Sequence, residues 1–116
     1  MKISQIILEQ LGGNKFIACT GCDSFISGGE WDWLQMRIPR NGSKANRLTV
    51  TYDYGTDTYI MRFWRYTSPR FNKKTLTYSK EKITDIKVYK EVYNDQMREL
   101  FTEVTKMYIP SSITIN

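Results

Sequence analysis

The feature that most constrains this chain is a change of hydrophobic period near its centre. Leu34, Met36 and Ile38 alternate with Trp31, Trp33, Gln35 and Arg37. Leu48, Val50 and Tyr52 alternate with Thr49, Thr51 and Asp53, and Tyr59, Met61 and Phe63 alternate with Ile60, Arg62 and Trp64. A period of two sends successive side chains to opposite sides of a pleated backbone, so these runs predict three strands. The short stretch Gly55-Thr56-Asp57 between the second and third makes them an antiparallel hairpin. A fourth strand is expected near residues 74–78, after the loop containing Pro69.

Outside this region the period is helical. Ser4 is a suitable N-cap, and Ile3, Ile7, Leu8 and Leu11 fall on one helix face before Gly12 and Gly13 stop it. Asn14 can cap a second short helix through Phe16, Ile17 and Ala18 to Gly21; the same residues also suit a short buried strand, and helix is the preferred reading. At the other end Val92, Tyr93, Met97, Leu100, Phe101, Val104, Met107 and Tyr108 form one apolar stripe ahead of Pro110, which predicts a long amphipathic helix. The expected fold class is therefore α+β: one or two N-terminal helices, a three- to four-stranded antiparallel sheet and a long C-terminal amphipathic helix. At 116 residues the chain suits one domain, 1–116, with one modest core.

Charge is distributed unevenly. Residues 37–90 hold 13 Lys and Arg against 4 acidic residues, whereas the flanking segments are each slightly acidic, within an overall charge of +5. The same segment holds Tyr52, Tyr54, Tyr59, Phe63, Trp64, Tyr66, Phe71, Tyr78 and Tyr89. Interleaved cations and aromatics are one footprint of a nucleic-acid surface. If Leu34, Met36, Ile38, Tyr59, Met61 and Phe63 face the core, the opposite sheet face presents Trp33, Gln35, Arg37, Thr49, Thr51, Arg62 and Trp64, with Tyr66 and Arg70 nearby. Trp and Arg on an open face stack on bases and neutralise phosphates. The first helix also has an apolar side to bury, and Trp33, Ile60 and Trp64 offer it a floor. The rarity of large exposed apolar patches favours that covered arrangement over an open platform.

The loop Arg40-Asn41-Gly42-Ser43-Lys44-Ala45-Asn46-Arg47 combines Gly and Ser with many donors, and suits phosphate or an acidic protein as well as a plain strand connection. The expected nucleic-acid contacts are the charges of Arg37, Arg40, Lys44, Arg47, Arg62 and Arg70, with Trp33 and Trp64 as stacking groups. About six phosphate contacts would weaken binding roughly three decades between 50 and 200 mM salt.

Other chemistry is poorly supplied. The chain has no His, so the commonest acid–base group and metal ligand is missing. Cys19 and Cys22 form a lone C-T-G-C pair where zinc needs four ligands. A redox dithiol belongs at a helix N-terminus after a strand, whereas this pair follows a helical pattern and reads as small residues in a turn. Asp53, Asp57 and Asp85 are isolated, and neither Gly12-Gly13 nor Gly28-Gly29 has a phosphate-loop framework. The expectation is a non-enzymatic protein with no cofactor and no bound metal. No apolar run approaches the roughly 18 residues of a membrane span, and Glu9 and Gln10 interrupt the opening stretch where a signal peptide would be apolar. A cytoplasmic protein without membrane association is expected.

The run Ile6-Ile7-Leu8-Glu9-Gln10-Leu11-Gly12-Gly13-Asn14-Lys15-Phe16-Ile17-Ala18, followed by Thr20-Gly21, resembles the opening of a family of small phage, prophage and mobile-element proteins without an assigned function. The likeness continues at Arg40-Asn41, Ser43-Lys44-Ala45-Asn46, Asp57-Thr58-Tyr59, Val88-Tyr89, Phe101-Thr102 and Tyr108. It implies a mobile-element origin inside a bacterial host cell, where accessory proteins of this size bind nucleic acid or block host defence complexes. The family commonly carries Met at the position of Cys19 and Ala at that of Cys22, so this chain's departure implies no shared role for the two thiols. The leading expectation is a nucleic-acid-binding protein. The alternative is a protein–protein module, either an inhibitor of a host defence system or a homodimer joined through a sheet edge or the C-terminal helix.

Overall fold

The computed structural model describes residues 2–28 and 32–109. Trp31, Gly29 and Pro110, which carried the expected strand start, glycine pair and helix stop, lie outside them. In chain order the elements are α1 (Ile3–Leu11), α2 (Gly13–Thr20), β1 (Asp23–Ser27), β2 (Trp33–Arg37), β3 (Arg47–Asp53), β4 (Thr58–Thr67), β5 (Phe71–Asn72), β6 (Thr77–Tyr78), β7 (Lys82–Val92), a 3₁₀ turn (Asn94–Gln96) and α3 (Met97–Thr105). The α+β class holds. The sheet has five antiparallel strands in the order β1-β2-β3-β4-β7, and β5 with β6 forms a separate small hairpin.

The alternation around residues 34–63 does what its period requires. Leu34 pairs with Val50, Met36 with Leu48, Val50 with Met61 and Leu48 with Phe63, which puts all six on one face. That face carries the helices. Ile7 and Leu11 of α1, Phe16 of α2 and Met97 and Phe101 of α3 join the sheet residues in one buried cluster. Phe101 is the aromatic pivot, 4.9 Å from Phe16 and 6.2 Å from Phe63 between ring centroids.

Five expectations are corrected. The C-terminal helix is not long: helical backbone covers only the 3₁₀ turn and α3, because Val92 closes β7 and Lys106 adopts a left-handed φ of 63° that ends α3 before the expected stop. Residues 74–78 do not form a fourth sheet strand. Their end pairs with Phe71 and Asn72 in the small hairpin, and the sheet gains β1 and β7 instead. The first helix does not cover the Trp-bearing face: Ile7 and Leu11 enter the core cluster on the opposite face, a cluster that Trp33, Ile60 and Trp64 do not join. All three helices bury their apolar sides together because α1 turns straight into α2. Gly12 permits this at φ 130°, where a Cβ would also lie 3.2 Å from Phe16 Cβ. Ser4 lies inside α1 rather than capping it, with Lys2 at the cap position, and Gly12 rather than Asn14 precedes α2.

Beyond the last β3 pairing, Arg47 with Trp64, strands β4 and β7 run on together as a two-stranded ribbon ending in the β5–β6 hairpin. The molecule is accordingly elongated, 59 × 36 × 21 Å.

Candidate nucleic-acid interface

At the end of the sheet where β2 leaves and β3 enters, the connecting loop folds over the start of β3 and leaves an open groove of about 840 Å³. Arg37, Arg40, Lys44, Arg47 and Arg65 line it, with Asn41, Ser43, Asn46, Tyr66 and Ser68 among their neighbours and no acidic residue in the lining. The loop is held by its own polar side chains. Asn41 donates from Nδ2 to the carbonyls of Pro39 (2.8 Å) and Ala45 (2.9 Å), and its Oδ1 accepts from the Ser43 amide at 2.7 Å. The Gly42 amide donates to Thr105 O at the end of α3, 2.8 Å away. Gly is required at that approach, since a Cβ would sit 2.5 Å from Lys106 Cγ and 3.0 Å from Thr105 O. The flexibility that Gly and Ser suggested is thus replaced by a built loop whose neutral donors are largely spent internally.

Asn46 joins this loop to the ribbon. Its side-chain amide donates to Tyr66 O (2.9 Å) and accepts from the Tyr66 amide (2.8 Å), while its backbone amide donates to Trp64 O and its carbonyl accepts from the Ile38 amide. In this way Asn46 extends the β3–β4 ladder by one side-chain rung.

The cations differ in how free they are. Among the described residues two ion pairs form, Arg37 with Asp23 and Arg62 with Asp85. Arg37 is bidentate, with Nε and Nη2 donating at 2.7 and 2.6 Å. These bonds hold the Asp23 carboxyl below its ordinary range and raise Arg37. Arg47 and Arg65 donate to backbone carbonyls, those of Asn46 (2.9 Å) and Lys44 (3.0 Å), and among the described residues neither forms an ion pair. Arg47 also lies over the Tyr66 ring, 5.6 Å from its centroid. Arg40 and Lys44 are exposed and take part in neither ion pair.

Of the sequence-expected residues, Arg37, Arg40, Lys44 and Arg47 come together in this groove. Arg62 and Trp64 stand on the neighbouring helix-free face, and Arg70 lies on the ribbon. Trp64 is only 8% exposed. Arg62 lies 5.0 Å over its ring, and its indole N–H donates to Thr49 Oγ1 at 3.0 Å, so a base would have to displace Arg62 to stack there. Trp33 is half-buried against Gly28 at the far end of β2. Sequence reasoning did not select Arg65 or Asn46. The i, i+2 neighbours of Trp64 along β4 put Arg62 and Tyr66 on its face and left Arg65 on the other, from which its Nη1 reaches Lys44 O in the loop.

Cys19 is exposed and Cys22 buried. Burial pushes the Cys22 thiol up. Among the described residues no cluster of three or more His, Cys, Asp or Glu could hold a metal ion, and no helix is long and apolar enough to cross a membrane. Comparison with protein-family models, curated proteins and solved structures finds no match.

Proposed function

We propose that the protein is a non-enzymatic nucleic-acid-binding protein of a bacterial mobile element, acting in the host cytoplasm and gripping the phosphate backbone through the groove between the β2–β3 loop and β4. The observation that carries this reading is the groove's lining of five cations without an acidic residue. Phosphate contacts position a protein on nucleic acid without reading bases, so binding is expected to depend weakly on sequence. The likeness of the opening run to phage and prophage proteins supports the mobile-element part.

Salt dependence tests it. Among the described residues, Arg40, Lys44, Arg47 and Arg65 are the groove cations that form no ion pair. Four phosphate contacts give a log–log salt slope of about −3.6 on duplex and about −2.8 on single strands, or losses of roughly 150-fold and 50-fold between 50 and 200 mM salt. Fluorescence anisotropy with labelled oligonucleotides reads both. The double variant Arg40→Ala/Lys44→Ala is expected to flatten the duplex slope by about 1.8. An unchanged slope removes the groove from the contact, and no binding at low salt removes the function.

A protein partner is the second reading, favoured by β7, whose eleven residues form one edge of the sheet with most side chains exposed. Lys82, Lys87 and Lys90 on that edge oppose casual strand pairing. A partner, or a second copy in sizing experiments, that survives nuclease treatment would favour it over the first.

A further inference from the structure

The ribbon beyond the groove is the least explained part of the molecule. Beyond Trp64 only β4 and β7 run on, paired as far as Thr67 with Lys82, and every residue from 68 to 85 is exposed. A bare two-stranded ribbon buries almost nothing and is marginal alone. This one is held by the Tyr66 hydroxyl donating to Glu81 Oε2 (2.9 Å), by the Ser79 amide on Arg70 O (2.8 Å) and by the Phe71 and Tyr78 rings 5.0 Å apart. Residues 67–82 carry Arg70, Lys73, Lys74, Lys80 and Lys82 against one acid, Glu81.

Its tip repeats a turn found elsewhere in the chain. Between β3 and β4, Asp53 Oδ1 accepts the Gly55 amide at 2.9 Å, the hydroxyls of Thr56 and Thr58 bond to each other, and Asp57 takes the left-handed position at φ 55°. Between β5 and β6, Asn72 Oδ1 accepts the Lys74 amide at 2.9 Å, the hydroxyls of Thr75 and Thr77 bond at 2.7 Å, and Leu76 takes the left-handed position at φ 55°. Asp tolerates that conformation through its short polar side chain, whereas a residue such as Leu is sterically disfavoured there. Leu76 recovers nothing by packing, being 74% exposed. Neither turn geometry nor folding accounts for a leucine at this position. Behind it Phe71 and Tyr78 are 47% and 71% exposed, giving the tip an apolar point set among cations.

Resting on the nucleic-acid reading above, we propose that the ribbon is a wedge for duplex DNA: Lys73 and Lys74 meet phosphates on either side of the groove while Leu76 inserts into a base step and kinks it. Apolar side chains with flanking cations perform this insertion in minor-groove binders, and flexible pyrimidine–purine steps of DNA open most readily. The partner is duplex DNA rather than a single strand because a projecting point needs a stack to open.

The test uses the full chain and a 30-base-pair duplex with end-placed fluorophores for energy transfer and 2-aminopurine beside a central TA step. Wild type is expected to raise both the 2-aminopurine emission and the end-to-end transfer. Leu76→Asn keeps a residue that accepts the left-handed position, so it should melt no lower than wild type, bind the duplex about tenfold more weakly and lose both signals. Lys73→Ala/Lys74→Ala should weaken binding and flatten its salt dependence by close to two contacts. If Leu76→Asn binds, bends and unstacks as wild type does, the wedge is overturned while the nucleic-acid reading stands. Preference for single strands, or a Leu76→Asn defect on phosphatidylserine vesicles but not on DNA, also overturns it. Failure to bind any oligonucleotide removes both readings together.

Discussion

Replacing Asn46 by Ala tests how the groove and the ribbon are held together. The side chain makes two hydrogen bonds to one residue, donating to Tyr66 O at 2.9 Å and accepting from its amide at 2.8 Å. Ala removes both, and at about 1 kcal/mol for each neutral bond the expected loss is about 2 kcal/mol. The value sits at the low end because Tyr66 is half-buried and water can reach the freed groups. For a chain of 116 residues the unfolding entropy near the midpoint is about 0.24 kcal/mol per degree, so the midpoint should fall by about 8 °C. Asn46→Asp keeps the acceptor for the Tyr66 amide, loses the donor and faces a carbonyl with a carboxylate, so it should cost at least as much despite its matching shape. Thermal unfolding followed by circular dichroism measures the shift, and hydrogen exchange reads whether the Tyr66 amide and the ribbon open first. A fall of less than about 2 °C with unchanged exchange at Tyr66 would refute the role given to this side chain.

Phe101→Ala empties the contact among Phe16, Phe63 and α3, and should cost about 3–5 kcal/mol in urea unfolding, the most damaging of these substitutions. Asp23→Asn releases Arg37 from its bidentate partner, so duplex affinity at low salt should rise and the salt slope steepen by about one contact. Because Arg37 holds the Asp23 carboxyl below its ordinary 3.8, the stability this pair contributes is full above that pH and is lost on acidification below it. The Asn variant should lack that part of the acid limb in a pH series of melting midpoints. Iodoacetamide at pH 8 should alkylate exposed Cys19 quickly and Cys22 only as the chain opens. Burial raises Cys22 above its ordinary 9.0, so its contribution to stability is complete below that pH and declines as pH rises past it, a decline that Cys22→Ala should remove.

The parts of the fold that were legible in the sequence are those where one face is buried and the other is not. Leu34, Met36, Leu48, Val50, Met61 and Phe63 obey the period of two because β2, β3 and β4 each lay one face on the helices. Strand β7 escaped notice for the opposite reason. Ile83 and Val88 are exposed, register shifts opposite Ile60 and between Phe63 and Trp64 break its alternation, and Val92 with Tyr93 falls at helical spacing from Met97. The apparent helix was therefore extended backwards into a strand. Strand β1 is five residues long and irregular where Ser24 takes φ 57°, too short and bent for a periodic signal. In the candidate site, the loop cations Arg40, Lys44 and Arg47 were visible as a cluster of charge in sequence. Arg65 enters through pairing geometry, and no local pattern announces that.

The two basic features meet at one residue. Tyr66 lines the groove, accepts one hydrogen bond from the Asn46 side-chain amide and donates another to it, carries Arg47 over its ring and binds Glu81 through its hydroxyl. Glu81 is the sole acid of residues 67–82, and its hold on the Tyr66 phenol raises that group. On the adjacent open face, by contrast, Arg62 is matched by Asp85 and its guanidinium lies over Trp64. Arg62 on the sheet face and Arg37 in the groove are thus each matched by a carboxylate, while among the described residues the cations from Arg40 outwards along the ribbon form no ion pair. A backbone laid from Arg40 past Tyr66 towards Lys73 would meet cations throughout, whereas one laid across the face would first have to break an ion pair and displace a stacked arginine. For the phosphate-backbone binding proposed above, that asymmetry favours the end of the sheet and the ribbon over the sheet face, and makes Tyr66→Phe informative. It should leave the groove cations in place, free Glu81, and weaken binding by loosening the ribbon's base while the groove's own share of the salt slope persists.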